Sequence, residues 1–355
     1  MQTVKALILS GGRGTRLRPL TFTLAKQLIP LANKPVLGYV LDQITQTGIT
    51  QTGIIIAPET GHYVKEYIKE GSQWGLNITY ISQEPLGLAH AVKTAKPFLG
   101  KDSFIMCLGD NLQGQGLTIY LQKFQQEHID ALILLKPVED PTKFGVATLD
   151  KNFNITRLVE KPKNPKSNLA IVGTYIFSSN IFKAIAKITP SLRGELEITD
   201  AIQEMIKMGF KVKAEILNTW WLDTGKKDDI LAANARVLDE YLKYENNGDI
   251  HDCNIEGKVA IHENVKIIKS NLRGPCIIGE DCIIENSFIG PYTSIGNKTK
   301  IIDSTIQNSI ILEGAQITGV DKLEESLIGK NAKITKNHRH NGLKLHVGDY
   351  SEVEI

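Results

Sequence analysis

The stretch Leu9-Ser-Gly-Gly-Arg-Gly-Thr-Arg-Leu-Arg18 directly follows a short apolar run at Lys5–Ser10. Its three glycines allow the backbone to approach a ligand closely and to direct successive N–H groups at phosphate oxygens. It fits neither the Rossmann pattern GxGxxG nor the Walker pattern GxxxxGK[ST]. Glycines interleaved with arginines after a first strand nevertheless favour a triphosphate site over a plain turn. The residues concerned are Gly11, Gly12, Gly14, Arg13, Arg16 and Arg18, with Lys26 ten residues after Arg16.

Outward from this loop, short apolar runs alternate with helical patterns up to about residue 215. Leu37, Val40, Leu41 and Ile44 have the spacing of one helix face. Strands that alternate with helices indicate βαβ units and a largely parallel sheet, with ligands at the carboxyl edge of the strands. The runs predicted as strands are Lys5–Ser10, Gly53–Pro58, Ile78–Gln83, Phe104–Gly109 and Ala131–Lys136.

A second group of strands is predicted to pair more in the antiparallel sense, which makes the sheet mixed. These strands are Gly145–Leu149, Ile155–Glu160 and Val172–Phe177, and a helix from about Lys226 to Tyr244 follows. Asn246-Asn-Gly-Asp249 is rich in turn-forming residues and predicts a domain boundary. We therefore expect two domains, 1–245 and 250–355.

Beyond the boundary the sequence repeats. Ile261, Ile278, Ile295, Ile311 and Ile328 are 17, 17, 16 and 17 residues apart, and each begins a six-residue unit with a small or medium residue in fifth place. This register predicts a three-sided β-solenoid of about five coils, with aliphatic ladders inside. Gly279, Gly296 and Gly329 are expected to adopt positive φ at its corners.

Composition limits the function classes. The 355 residues are 42% hydrophobic and carry 41 Lys and Arg against 39 Asp and Glu, a formal net charge of +2. Such a balance provides no global field for nucleic acid or an anionic membrane, and no apolar run is long enough to cross a bilayer. Four cysteines without CxxC spacing predict packed, reduced thiols and a cytoplasmic protein.

Several motifs together resemble the signature of sugar-1-phosphate nucleotidylyltransferases, and the Lys26-Gln-Leu-Ile-Pro30 variant most resembles the glucose-1-phosphate thymidylyltransferases. The solenoid resembles the left-handed β-helix of the long forms of that family. The resemblance implies a Rossmann-like nucleotidyltransferase domain with a mixed sheet, followed by the β-helix. Besides the loop, the matching motifs are Asn33-Lys-Pro35, Gln83-Glu-Pro-Leu-Gly-Leu-Ala-His-Ala91, Leu108-Gly-Asp-Asn111, Phe144-Gly145, Val159-Glu-Lys-Pro162, Arg193-Gly-Glu-Leu-Glu-Ile-Thr-Asp200 and Trp220-Trp-Leu-Asp-Thr-Gly225.

The resemblance also implies site residues. Asp110 and Asp223 would hold Mg²⁺, an ion that usually takes one or two carboxylates beside phosphates and waters. Arg16 and Lys26 would stabilise the leaving pyrophosphate, and Lys161 would contact the sugar phosphate, so these five residues are the expected catalytic set. Nucleotide contacts are expected at Gly11, Gly12, Gly14, Thr15, Arg16, Lys26, Gln83, Gly87 and Asp110. Sugar-phosphate contacts are expected at Asn111, Gly145, Glu160, Lys161, Ile171, Gly173 and Arg193.

The implied reaction is in-line attack by glucose 1-phosphate on the α-phosphate of dTTP. A phosphate monoester oxygen is already nucleophilic at neutral pH, so alignment and charge neutralisation suffice without a general base. No residue pattern suggests a covalent intermediate. We expect a homo-oligomer, with the solenoid in assembly or packed on the catalytic domain.

Alternatives remain open. A UTP-using uridylyltransferase differs by one methyl group on the base, and a bifunctional enzyme would use the solenoid as an acyltransferase. A non-catalytic scaffold is disfavoured because Arg16, Lys26, Asp110, Lys161 and Asp223 are all present. His338, His340 and His346 are interpreted as a polar tail, and Trp220-Trp221 as packing around the metal loop.

Overall fold

A computed structural model describes residues 4–336 and 350–353. Its contacts divide the chain into two compact units. The first comprises 1–13, 24–28 and 36–223, and the second comprises 14–23, 29–35 and 224–355. The domain limits 1–245 and 250–355 stay a prediction, and the three histidines of the expected tail lie outside the described residues.

The first unit contains a nine-stranded mixed sheet. Val4–Ser10 pairs in parallel with both Gln51–Ile56 and Ser103–Leu108, and Gln51–Ile56 pairs in parallel with Asn77–Ser82. The predicted parallel part is thereby confirmed. Along the whole sheet the strands lie in the order Ile155–Glu160, Gly145–Leu149, Leu169–Phe177, Ser103–Leu108, Val4–Ser10, Gln51–Ile56 and Asn77–Ser82. Off this path, Ala131–Pro137 pairs with both Leu169–Phe177 and Val212–Ile216.

Antiparallel pairing enters the sheet at Leu169–Phe177, which pairs with Ser103–Leu108, Ala131–Pro137 and Gly145–Leu149. This confirms the predicted mixed character. A further two-stranded pairing of Asn111–Gln113 with Trp221–Asp223 lies directly after the Ser103–Leu108 strand.

Several helices of the first unit bury apolar side chains in the same core as the strands. Ala89 and Val92 of Leu88–Thr94 and Ala201 and Ile202 of Ile198–Lys207 belong to one cluster with Phe104 of the sheet. The α-helices of this unit are Val36–Gln46, Gly61–Ile68, Leu88–Thr94, Lys96–Leu99, Thr118–Gln126, Ile181–Ile185 and Ile198–Lys207, with 3₁₀ turns at Lys26–Leu28, Ser72–Trp74 and Pro141–Lys143.

The second unit is built around stacked parallel strands. Two faces have six strands and the third has five, consistent with the predicted left-handed β-helix. Ile261, Ile278, Ile295, Ile311 and Ile328 are successive Cα partners on one face. The described strands give one coil more than the five repeats, because the first coil lacks a leading isoleucine. The unit also holds the helix Lys227–Tyr241, the 3₁₀ turns Thr15–Leu17 and Leu20–Phe22, and the hairpin of Pro30–Leu31 with Lys34–Pro35.

The strands of the three faces follow one another along the chain. The first face has Glu245–Asn246, Val259–Ile261, Cys276–Ile278, Thr293–Ile295, Ile310–Ile311 and Leu327–Ile328. The second has Asp249–His251, Lys266–Ile268, Ile283–Glu285, Lys300–Ile302, Gln316–Thr318 and Lys333–Thr335, and the third has Asn254–Glu256, Asn271–Arg273, Phe288–Ile289, Thr305–Gln307 and Leu323–Glu324.

The prediction for the solenoid glycines was wrong. Gly279, Gly296 and Gly329 are not among the residues with positive φ. The left-handed position is the fourth of each hexad, where Asn264, Asp281, Lys298, Gly314 and Asn331 have φ of 59, 57, 58, 73 and 56°. Gly279 and Gly296 are needed for close approach instead, because a Cβ on Gly279 would lie 2.3 Å from Oδ1 of Asn297 in the next coil, and one on Gly296 would lie 2.7 Å from the Glu313 N.

Cys107, Cys276 and Cys282 are buried free thiols and Cys253 is half-buried and free, as predicted. In the described ranges no helix is long and apolar enough to cross a membrane.

Candidate active site

The glycine-rich loop leaves the sheet at Ser10, the last residue of its strand. Gly11 and Gly12 line a cavity of about 220 Å³ in the first unit. Its walls are mainly apolar, and its polar side chains are Gln27, Gln83, Asp110 and Glu195. A cavity with a few convergent polar groups is a typical small-molecule site.

The second half of the loop belongs to the second unit. Gly14 has φ of 62° and its carbonyl accepts a hydrogen bond of 2.8 Å from the Thr21 hydroxyl, which closes the loop on itself. Thr15 and Arg16 are exposed on the following 3₁₀ turn. Their contacts with a nucleotide stay a prediction.

Residue 87 must be a glycine because the backbone of Leu196 lies very close to it. The φ of Gly87 is 105°, and a Cβ there would lie 2.4 Å from the Leu196 carbonyl oxygen. Backbone bonds from Leu196 N to the Leu86 carbonyl and from Ala89 N to the Leu196 carbonyl fix this segment beside the cavity. Any side chain at residue 87 would break that packing, so the glycine positions the segment that follows Gln83.

Gln83 is buried, with 7% of its surface exposed, at the end of Asn77–Ser82. Its Nε2 lies 2.9 Å from Nδ1 of His90. Burial, followed by the positive charge of Lys93, lowers the pKa of His90. A neutral imidazole with Nδ1 as acceptor fits this contact.

Asp110 and Asp223 come together although they are 113 positions apart in the chain. Asp110 follows the Ser103–Leu108 strand, and Asp223 is the Cα partner of Asn111 in the short ladder. The Lys26 ammonium hydrogen-bonds to Asp110 and lies 3.9 Å from Oδ1 of Asp223. Two carboxylates from distant segments therefore converge on one buried cation.

The ionised form of Asp110 is favoured by its neighbours. Burial alone would raise the pKa of Asp110, but the Lys26 ammonium and the Asn111 amide, which donates to Oδ1 at 2.9 Å, hold it below its usual value. The Trp221 indole N–H donates to the Asn111 Oδ1 at 2.8 Å and so orients that amide toward the aspartate. Trp221 also packs edge-on against Phe144, which agrees with its interpretation as packing around this loop.

This donor set suits Mg²⁺. Among the described residues no group of three or more His, Cys, Asp or Glu forms a metal cluster. Mg²⁺ does not require one, since it takes hard oxygen ligands, usually one or two carboxylates, and fills its shell with phosphates and waters. Two aspartates that converge on Lys26, of which Asp110 lines the cavity, meet that requirement.

The predicted sugar-phosphate residues cluster in the first unit. A Cβ on Gly145 would lie 3.1 Å from Glu160 Oε2 and 3.2 Å from Ile171 Cδ1. A Cβ on Gly173 would lie 2.9 Å from Cγ of Asn111, so this glycine leaves room for the Asn111 amide. These contacts form two groups, one of Gly145, Glu160 and Ile171 and one of Gly173 and Asn111.

Arg193 forms ion pairs with Glu195 at 2.9 Å, Glu160 at 3.4 Å and Glu197 at 3.8 Å. Arg193 and Glu160 also line a cavity of about 630 Å³. Burial, then repulsion from Glu197, raises the pKa of Glu160 despite the nearby cations. Lys161 is exposed and has φ of 41°, an uncommon conformation for a lysine, at the end of Ile155–Glu160.

Comparison with known proteins places this geometry in a family. The model for the nucleotidyl transferase family matches residues 5–240. The chain belongs to the nucleotidyl transferase family. It is 45% identical to the glucose-1-phosphate thymidylyltransferase of Streptomyces antibioticus over 99% of both chains. It is 36% identical to the bifunctional protein GlmU of Methanocaldococcus jannaschii, over 94% of this chain and 79% of that one. A Bacillus anthracis crystal structure described as a glucose-1-phosphate thymidylyltransferase in complex with sucrose aligns with a TM-score of 0.63 and 34% identity, covering 69% of this chain and 98% of that one.

Within this family site, the sequence interpretation missed three polar residues. Gln27 is 2% exposed and lines the cavity beside the glycine loop, and its Oε1 has no hydrogen-bond partner in the part of the chain that the structure describes. Glu195 lines the same cavity, and His90 contacts Gln83. A signal existed for Gln27, a polar residue inside the otherwise apolar Gln27-Leu-Ile-Pro30 run after Lys26.

Proposed function

We propose that this protein transfers a thymidylyl group from dTTP to glucose 1-phosphate, which gives dTDP-glucose and pyrophosphate. The observation that carries the proposal is the convergence of Asp110 and Asp223 on Lys26 beside the cavity that holds Gln83. The names of the full-length relatives support the choice of substrates.

The nucleotide would bind with its base against Gln83 and Gly87 and its phosphates over the glycine loop. An amide offers both a donor and an acceptor to a pyrimidine edge. Gly11, Gly12, Gly14 and Thr15 would supply backbone N–H groups to the phosphates. Arg16 and Lys26 would neutralise the charge that develops on the leaving pyrophosphate.

The sugar phosphate would bind across Gly145, Glu160, Ile171 and Gly173. The Glu160 carboxylate accepts hydrogen bonds from sugar hydroxyls, and Lys161 and Arg193 would contact the phosphate. Arg193 already bridges three carboxylates, so an arriving phosphate competes with Glu160, Glu195 and Glu197 for its guanidinium.

The reaction needs no covalent enzyme intermediate. An oxygen of the sugar phosphate forms a bond to the α-phosphorus while the bond from that phosphorus to the α–β bridging oxygen breaks, and pyrophosphate leaves. Asp110 and Asp223 would hold Mg²⁺, which when bound neutralises repulsion between the two anionic reactants. Asn111 keeps the Asp110 carboxylate oriented and ionised.

Two further properties belong to the proposal. Thymine differs from uracil by one methyl group, worth about 1–3 kcal/mol in a pocket, so appreciable UTP use is expected beside dTTP. A homo-oligomer and a cytoplasmic location also stay predictions.

A bifunctional enzyme is the second candidate, favoured by the likeness to GlmU proteins. In 245–336 the paired strands of each face keep the regular register of the repeat, without a long insertion that could build an acyl-donor site. We therefore expect no turnover of acetyl-CoA by the intact chain.

The test is a pyrophosphate-release screen of dTTP, UTP, dCTP, ATP and GTP, each with and without glucose 1-phosphate and Mg²⁺. Release that needs both sugar phosphate and metal and is fastest with dTTP supports the proposal. Release that is independent of glucose 1-phosphate contradicts it.

A further inference from the structure

The Gln83 amide can face a base in two ways, and the choice decides which base it can bind. Thymine and uracil carry a donor at N3 and acceptors at O2 and O4, whereas cytosine carries an acceptor at N3 and a donor at N4. An amide that presents its oxygen to N3 pairs with the first two bases, and the flipped amide pairs with cytosine. Some other group must fix the orientation if the site is to discriminate.

The contact with His90 fixes the amide orientation when the ring carries its proton on Nε2. Nε2 of Gln83 lies 2.9 Å from Nδ1 of His90, which leaves Oε1 on the opposite side of the amide. That oxygen faces the glycine loop, since a Cβ on Gly11 would lie 3.8 Å from it. Gln83 and Gly11 both line the nucleotide cavity, so Oε1 and the second Nε2 hydrogen remain for the base.

The helix Leu88–Thr94 that carries His90 is anchored around that residue. Ala89 and Ala91 on either side of His90 are buried, and the Thr94 hydroxyl donates to the His90 carbonyl at 2.9 Å. The backbone pairing of Ala89 with Leu196 fixes the start of the same helix. His90 therefore presents Nδ1 to Gln83 from an anchored helix.

A flip of the amide would place Oε1 against Nδ1. In the tautomer with the proton on Nε2, Nδ1 cannot donate there, so two acceptors would meet beside the buried Gln83 side chain. An unsatisfied buried acceptor is disfavoured more strongly than a hydrogen bond is favoured. The present orientation is the one that the Nε2–H tautomer of His90 permits, whereas the Nδ1–H tautomer would require the flipped amide.

We infer that His90, protonated on Nε2, is a specificity-determining positioning residue: its Nδ1 accepts from Gln83 and holds Oε1 toward the base, which selects pyrimidines with an N3–H over cytosine. The inference rests on the proposed function, because Gln83 must be the base-reading residue. It concerns thymine and uracil together and makes no distinction between them.

The test compares three variants with the wild type. His90→Leu removes the acceptor with little change in volume, His90→Glu keeps an acceptor that cannot donate, and Thr94→Val alters the same helix without touching Gln83. For each, dissociation constants for dTTP, UTP and dCTP are measured by calorimetry, and kcat/KM is measured with glucose 1-phosphate.

In His90→Leu the preference for dTTP over dCTP should fall roughly tenfold or more, as expected for one misdirected buried hydrogen bond. The ratio of dTTP to UTP should stay constant. His90→Glu and Thr94→Val should keep the wild-type preference for dTTP over dCTP.

A parallel loss of dTTP and dCTP binding in His90→Leu, with an unchanged ratio, would overturn the inference and leave His90 a structural residue. Binding constants are read without turnover, so they test His90 even if the transfer to glucose 1-phosphate fails. Absent turnover with intact dTTP binding would instead refute the proposed reaction.

Discussion

The Lys26 ammonium donates a hydrogen bond to the Asp110 carboxylate inside the first unit. The lysine is 8% exposed, so the pair is largely removed from water and each charge depends on the other. Loss of either partner would leave an uncompensated charge beside the cavity.

Replacing either carboxylate should abolish most turnover. Asp110→Asn and Asp223→Asn each remove one charge from the expected Mg²⁺ site, and loss of one preorganised electrostatic group typically lowers the rate by about 10²–10³. The measurement is turnover against Mg²⁺ concentration, with Asp252→Asn, the same change at an exposed β-helix position, as the control. Near-normal turnover with an unshifted Mg²⁺ requirement would remove that aspartate from the metal site.

Lys26→Ala should lower kcat far more than it raises the KM for dTTP. The ammonium would act chiefly on charge that develops as pyrophosphate leaves, so we expect a loss of about 10²-fold or more in kcat. The exposed Lys151→Ala serves as the control. Unchanged pyrophosphate release in Lys26→Ala would exclude the lysine from the reaction.

Glu160→Gln should separate stability from function. Burial and repulsion from Glu197 raise the pKa of Glu160, so folding favours its protonated form. The stability that this adds is fully present below the unfolded pKa of about 4.3 and is lost as pH rises through the higher folded pKa. The neutral variant should therefore have a larger free energy of unfolding than the wild type at pH 7, and the difference should vanish near pH 4.

The same variant should raise the KM for glucose 1-phosphate roughly tenfold, because a charged acceptor for sugar hydroxyls is lost. Urea unfolding at several pH values and steady-state kinetics measure the two effects. A variant that is less stable at pH 7 would show that the Arg193 ion pair outweighs the burial of the charge.

Gly279→Ala should destabilise the β-helix by about 1–3 kcal/mol, since its Cβ would lie 2.3 Å from Oδ1 and 2.8 Å from N of Asn297. Gly329→Ala, at the same position of a later repeat, should lose less, because its nearest neighbour would be a side-chain carbon of Leu20 at 3.3 Å. Thermal unfolding of both variants is the measurement. Equal losses would argue against close approach as the reason for glycine.

Much of the fold could be predicted from local patterns. The run Lys5–Ser10 became the strand Val4–Ser10, and Gly145–Leu149 and Ile155–Glu160 have the predicted bounds, because β-branched runs bounded by turn residues determine strands locally. The helix expected at about Lys226 to Tyr244 spans Lys227–Tyr241. The solenoid followed from its repeat.

The features of the site that could not be predicted depend on pairing between segments that are distant in the chain. Nothing local to Asp223 indicates that it pairs with Asn111, and the link between Gln83 and His90 crosses a break in secondary structure at Gly87. The first coil was missed because its core position is not marked by the repeating isoleucine. The prediction of positive φ at Gly279, Gly296 and Gly329 was wrong because the sequence shows that these residues are small, but not whether a positive φ or the closeness of the next coil requires a glycine.

The most direct test of the account follows oxygen from the sugar phosphate into the product. Glucose 1-phosphate labelled with ¹⁸O in its phosphate is incubated with dTTP and Mg²⁺, and the products are analysed by mass spectrometry. In-line transfer predicts dTDP-glucose and unlabelled pyrophosphate in equal amounts. All of the label should lie in the glucose-linked phosphate, including its bridge to the thymidylyl group. Labelled pyrophosphate, or pyrophosphate without a nucleotide sugar, would contradict it.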